Sequence, residues 1–280
     1  MKIAVTGATG FIGRHVLAEL ESNSVETVAI ARTAVFKSEQ HANCRFCEFD
    51  LHSASSNTYE HIGRPDVLIH LAWSGLPNYK SNHHFERELP GQYRFLRSLI
   101  ESGLQTVVVA GTCFEYGMQS GPLIEEMGTH PENPYGFAKD ALRRQLEFLQ
   151  VEIPYRLTWA RLFYLYGEGQ AENSLLPQLT KAVERGDQVF NMTGGEQLRD
   201  YLPVADAARY LVSLALKKTD AGVVNVCSGV PVSVRKLVER WVQENNWAIL
   251  LNLGHYPYPD YEPMAFWGVR DKLDRLMDMK

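Results

Sequence analysis

The feature that most constrains this chain lies at its start. Thr6-Gly7-Ala8-Thr9-Gly10-Phe11-Ile12-Gly13 stands between the apolar run Lys2–Thr6 and a segment, Phe11–Glu21, that carries Ile12, Val16, Leu17 and Leu20 at helical spacing. Three glycines, three residues apart, allow a tight strand-to-helix turn and a close backbone approach. A diphosphate can then rest on the helix N-terminus. A glycine triplet alone is a weak signal, and an ordinary turn can carry it. Its place after a strand and before a helix is the context that dinucleotide binding requires.

The rest of the first half continues the alternation. Val28–Ala31, Phe46–Leu51, Val67–Leu71, Val107–Ala110 and Tyr155–Phe163 read as strands. Phe85–Ile100 and Tyr135–Leu149 read as helices, the first kinked or broken at Pro90-Gly91. Such β-α-β alternation predicts an α/β fold, a doubly wound parallel sheet with helices on both faces. After Gly167 the texture turns to Gly, Pro and Asn with short helices at Leu175–Arg185, Val204–Leu216 and Val234–Asn245, and a strand at Val223–Val226. The expected division is a dinucleotide-binding domain of residues 1–165 plus about 200–222. A smaller α+β substrate domain takes 166–199 plus about 223–280. The last residues, with Pro257, Pro259 and Pro263, read as a loop over a pocket or a surface tail.

Composition narrows the classes. With 28 basic and 33 acidic residues among 280, the formal charge is −5, and no basic block offers a surface for nucleic acid. No apolar run reaches the length of a membrane span. The N-terminus enters a strand directly, so a cytoplasmic location without a signal peptide is expected. Four cysteines are too few for a disulfide framework. The pair Cys44 and Cys47 lacks partners at zinc-ligand spacing, so no metal site is expected.

Further landmarks follow in order. T-G-x-x-G-x-x-G, Phe49-Asp50-Leu51, His70-Leu71-Ala72 and Arg199-Asp200-Tyr201 with Val204 and Asp206 together resemble the extended short-chain dehydrogenase/reductase family, which includes nucleotide-sugar epimerases, dehydratases and ketoreductases. The resemblance implies a Rossmann fold. It implies cofactor contacts from Gly7, Gly10, Phe11, Ile12 and Gly13, from Asp50 and Leu51 at the adenine, and from Leu71 and Ala72. At the end of the second strand, Ala31-Arg32 stands where an NAD-binding member usually has an acid. Arg32 suits the 2′-phosphate of NADP, so NADP is the expected cofactor, with NAD possible.

Tyr135 and Lys139, four apart at a helix start, share one face. As a bare pair they also suit a surface helix. A free phenol is a poor acid–base catalyst at neutral pH, and a nearby ammonium is expected to lower its pKa. The resemblance makes Thr112, just past the strand Val107–Ala110, the third catalytic member and gives Lys139 a second role on the cofactor. The dehydratases of the family carry Asp then Glu after that hydroxyl; here Cys113 and Phe114 stand there, and neither can eliminate water. Trp73, Cys113, Phe114, Tyr164 and Arg199 are the expected substrate contacts, Arg199 as a fork for a diphosphate or else as a salt bridge to Asp200 or Asp206. Glu88 and Tyr164 replace two asparagines of the family pattern. The expected activity is NAD(P)H-dependent reduction of a nucleotide-linked 4-keto-6-deoxy sugar. The alternatives are a nucleotide-sugar 4-epimerase holding NAD tightly and a non-catalytic NADP-binding regulator. A homodimer is expected through helices at about 82–101 and 135–150, with Phe95, Leu99, Leu142 and Leu146 facing a partner or the sheet.

Overall fold

Short apolar runs separated by amphipathic helices leave the central strands of the main sheet buried on both faces, and the chain stacks them in parallel. The computed structural model describes residues 1–33, 43–259 and 262–278. Its elements run β1 (Lys2–Thr6), α1 (Phe11–Ser22), β2 (Glu26–Ala31), β3 (Cys44–Glu48), α2 (Thr58–His61), β4 (Val67–His70), α3 (Leu89–Glu101), β5 (Thr106–Thr112), β6 (Gly121–Leu123), α4 (Pro134–Glu152) and β7 (Arg156–Leu162). The second half adds β8 (Tyr164–Tyr166), α5 (Leu175–Glu184), β9 (Val189–Asn191), β10 (Leu198–Pro203), α6 (Val204–Lys217), β11 (Gly222–Val226), β12 (Pro231–Ser233), α7 (Val234–Glu244), β13 (Leu250–Asn252), β14 (Phe266–Gly268) and α8 (Asp271–Asp278).

Seven parallel strands form the main sheet in the order β11-β7-β5-β4-β1-β2-β3. Alternation along each strand sorts the core onto two faces. Ile3 and Val5 pack with Val16, Leu17 and Leu20 of α1 and with Leu211 of α6. Ala4 faces the other way, toward Phe95 and Leu99 of α3 and Leu142 and Leu146 of α4. These last four side chains are fully buried against the sheet, the second of the two placements expected for them. Around β1 the order reverses, β2 on one side and β4 on the other, and a crevice opens at the strands' C-terminal ends.

Several boundaries differ from the sequence reading. The third strand ends at Glu48, and Leu51 lies in a short turn capped by Asp50. Pro90 does not break a helix. A π-helical turn, His84–Glu88, precedes α3, and Pro90 falls in the first turn, where its missing N–H costs no hydrogen bond. The expected boundary at 222 cuts a sheet strand: β11 pairs with β7 from Gly222 to Val226. The C-terminal segment is no simple tail, since β14 pairs with β6 and α8 packs near β11 and α6.

The remaining strands make small sheets, β12-β10-β8, β13-β9 and β14-β6. A separate cluster, with Leu179 of α5, Phe190 of β9 and Leu237 and Trp241 of α7, forms their core. Cys113, Tyr116, Leu123, Phe163, Cys227 and Phe266 fill the seam between this part and the main sheet. Among the described residues no helix is long and apolar enough to cross a membrane.

Candidate active site

The turn after β1 leaves the backbone open. Gly7 takes φ +67°, and a Cβ there would stand 2.9 Å from the Ala72 nitrogen. A Cβ at Gly13 would collide with the Gly7 carbonyl oxygen, so α1 can start this close to β1 only with glycine. Gly10 caps α1 and no side chain covers its first N–H groups. A crevice of about 390 Å³ opens in front of them. Phe11, Ile12 and Arg32 line it, with Asp50, Leu51, Leu71 and Ala72 on the facing strand ends. Ten of the twelve expected cofactor contacts thus border one cleft; the other two, Tyr135 and Lys139, do not line it. Its glycine cradle and uncapped helix end suit a dinucleotide diphosphate.

Side chains that the sequence reading left out of the site close the cleft's far wall. Glu88, 1% exposed, accepts hydrogen bonds from the Ser74 N–H (3.1 Å) and Ser74 hydroxyl (2.7 Å), and from Gln92 (2.9 Å). His52 and His83 approach the same carboxylate at 3.1 and 3.3 Å. Burial pushes the Glu88 pKa up, but the donations from Ser74 and Gln92 and the His52 ring outweigh it and bring it down to about 2. Glu88 was visible in the sequence as a departure from the family's asparagine; its partners come from 4 to 36 residues away.

The chemical end lies past Trp73. Asn133 caps α4 through a bond from Gly136 N–H to its side chain (2.8 Å), and Pro134 opens the helix. Tyr135 therefore sits in the first turn and Lys139 one turn on, both buried. The Tyr135 phenol hydrogen-bonds the Thr112 hydroxyl, and Lys139 donates to the Ala110 carbonyl (2.8 Å). The ammonium lies 4.0 Å from the centroid of the Trp73 ring. Tyr79, His84 and Phe114 surround the Tyr135 ring at 5.5, 5.3 and 6.4 Å. Besides the Ser74 bonds to Glu88, the loop that carries Trp73 and Tyr79 is moored by Trp73 to His84 (3.1 Å) and by the Tyr135 N–H to the Tyr79 carbonyl (3.2 Å).

The electrostatics correct one expectation. Burial raises the Tyr135 pKa, with the Tyr79 and Glu115 charges adding to it, and the bond from Thr112 only partly offsets this. The phenol is thus held above its usual range even with the Lys139 ammonium beside it. Burial likewise brings Lys139 down to about 7, against the attraction of Glu115 and Glu88. His70, buried and facing the Lys139 charge, falls to about 3 and is neutral.

The five expected substrate contacts divide into two groups. Trp73 and Phe114 flank Tyr135. Cys113, Tyr164 and Arg199 gather instead in the seam. Burial pushes the Cys113 thiol up, away from any nucleophilic role. Arg199 is 3% exposed, pairs with Glu262 at 3.0 Å and lies 4.6 Å above the Phe266 ring. The salt bridge expected to Asp200 or Asp206 is not the one formed. Asp200 accepts from Ser228, Gly229 and Gly268. Tyr164 stands beside Glu262, and burial holds its phenol well above its usual range.

The grouping of Thr112, Tyr135 and Lys139 near the glycine-lined cleft suits oxidoreductase chemistry at a carbinol or ketone carbon. Comparison with known proteins agrees. A curated relative, dTDP-6-deoxy-L-talose 4-dehydrogenase (NAD(+)) of Aggregatibacter actinomycetemcomitans, is 30% identical over 272 residues, covering 96% of this chain and all of that one. The dTDP-4-dehydro-6-deoxyglucose reductase of Escherichia coli is 23% identical over 254 residues, 85% of this chain and 79% of its own. Among solved structures, MoeE5 in complex with UDP-glucuronic acid and NAD superposes with a TM-score of 0.84 at 26% identity, covering 99% of this chain and 92% of that one. The family model described as "NAD dependent epimerase/dehydratase family" matches residues 3–227. By fold, by site and by that match, the chain belongs to the NAD-dependent epimerase/dehydratase family.

Proposed function

We propose that this protein is an NAD(P)H-dependent reductase of a nucleotide-linked 4-keto-6-deoxy sugar. The observation that carries the reading is the chemistry around Thr112. The Tyr135 phenol, its pKa raised by burial, lies beside that hydroxyl, and the two following residues, Cys113 and Phe114, offer no acid–base pair for eliminating water. The bound cofactor supplies the hydride. Thr112 holds the substrate oxygen, Tyr135 gives up its proton to the forming alkoxide, and Lys139 orients the cofactor's ribose beside them. Burial keeps Tyr135 in the protonated state that reduction needs. The names of the talose dehydrogenase and of the glucose reductase support a deoxythymidine-diphosphate 4-keto-6-deoxyhexose as substrate. The diphosphate and base are assigned to the smaller C-terminal part, a reading that Tyr164 and Arg199 at the seam support.

The decisive experiment follows deuterium from labelled cofactor. The expected result is label at sugar C4 with one cofactor oxidised per sugar. Interconversion of two 4-hydroxy sugars without added cofactor would replace this reading with a 4-epimerase. Arg32, exposed at the cleft rim and preceded by Ala31 rather than an acid at the strand end, favours NADP(H) over NAD(H). Arg32→Ala is expected to erase a preference of about 1.5–3 kcal/mol, the scale of a charge-assisted bond; equal discrimination by both forms removes the assignment. A homodimer would use the outer face of α4, where Phe137, Phe148 and Val151 are 51, 75 and 84% exposed. Light scattering at the monomer mass would exclude it.

A further inference from the structure

Glu115 takes no part in the steps above, yet it is the carboxylate built most tightly into the catalytic corner. It is fully buried, three residues past Thr112. One oxygen accepts from the Thr112 N–H (2.9 Å) and the Trp159 indole (2.8 Å), and the other accepts from Arg161 (2.7 Å). Arg161 is itself 1% exposed and stacks 4.5 Å over the Tyr116 ring. The Thr112 hydroxyl accepts in turn from the Phe114 N–H, so strand end and turn brace each other. Lys139 is anchored to the same strand end, at the Ala110 carbonyl.

We propose that Glu115 is a positioning residue of this site: it fixes Thr112 through its backbone N–H and sets a buried negative charge beside the corner that holds Lys139 and Tyr135. A buried ion pair is poor evidence of stability, because apolar residues of like volume serve a fold as well. Here the carboxylate instead grips the backbone of a residue that touches the reacting oxygen. Around Lys139 the charged and titratable groups are Glu115, Glu88, His70, His84 and Tyr135; around Tyr135 they are Glu115, Tyr79, His84 and Cys113. Glu115 raises the pKa of both Lys139 and Tyr135. Without its charge, both groups lose their protons at lower pH.

The test, which rests on the reductase reading for its kinetic half, uses two variants. Glu115→Gln keeps an acceptor for Trp159 and Thr112 but strands the Arg161 charge. The double variant Glu115→Gln/Arg161→Gln leaves no unpaired charge and is expected to keep the wild-type fold, checked by circular dichroism. In both, the alkaline limb of kcat/KM against pH is expected to move to lower pH by about one unit, the scale of one nearby charge. The dissociation constant of the reduced dinucleotide, followed by nicotinamide fluorescence across neutral pH, is expected to show the same displacement. That second readout needs no turnover, so failure of the sugar chemistry leaves it decisive. If the folded double variant keeps both profiles in place, Glu115 and Arg161 form a structural pair only.

Discussion

The two ends of the cleft solve opposite problems. At the dinucleotide end the working groups are backbone N–H groups, left open by a glycine turn in which Gly7 and Gly13 have no room for a side chain. At the chemical end the working groups are side chains, and nearly all have partners: Tyr135 with Thr112, Lys139 with Ala110 and Trp73, Thr112 with Phe114. The first end is preformed for a ligand. The second is closed on itself, and Trp73 stands between the cleft and Lys139. Ligand affinity and turnover are therefore expected to separate when each end is altered alone.

Tyr135→Phe tests the separation most strongly. Turnover is expected to fall roughly a hundredfold or more, the usual contribution of a general acid, with cofactor affinity nearly unchanged in a fluorescence titration. Near-normal turnover would break the assignment. Gly13→Ala attacks the other end. The loop must move away from the new methyl group, and loss of even one charge-assisted N–H contact weakens cofactor binding about tenfold. Wild-type affinity in that variant would show that the turn does not hold the diphosphate.

Glu88→Gln probes the wall between the ends. The Glu88 pKa is about 2 in the fold against an ordinary 4.5. Its stabilisation is complete above about pH 4.5 and is lost as pH falls through about 2. Urea unfolding at neutral pH should show a loss of about 2 kcal/mol in the variant, the scale of a lost charge-assisted network, and the gap should narrow in acid. A gap constant with pH would mean that packing, not charge, is at stake. The smallest effect is expected from Trp73→Phe, which keeps a ring over Lys139 but drops the bond to His84. Stability should change by about 1 kcal/mol or less, with KM altered more than kcat. The reverse split would place Trp73 in the chemistry.

What the sequence made legible follows the same division. The glycine turn, Tyr135 with Lys139, and the alternating strands are local patterns, set by spacing of a few residues. They were readable because neighbouring residues alone impose the geometry. The Glu88 cluster was not, since Ser74 lies 14 and His52 lies 36 residues away. Arg199 reaches 63 residues to Glu262, so no spacing rule could choose that partner over Asp200. Strand β14 escaped notice among prolines because its only reason to be extended is β6, more than a hundred residues earlier. The rise in the Tyr135 pKa escaped for a related reason. Four rings from distant segments set its burial, and charge spacing along α4 carried no trace of them.

The π-helical turn His84–Glu88 has a consequence for how this segment tolerates insertion and deletion. Its wider winding accommodates one residue more than an ordinary turn would. It lets His84 hold Trp73 while Glu88 holds Ser74, two grips on adjoining residues of one loop. Deleting any single residue here would restore a regular helix and rotate everything before it by about 100° relative to α3. One of the two grips would then point away from the loop. The reading frame of the helix thus sets the gauge of the active-site wall, and natural variants should change length on either side of this turn rather than within it.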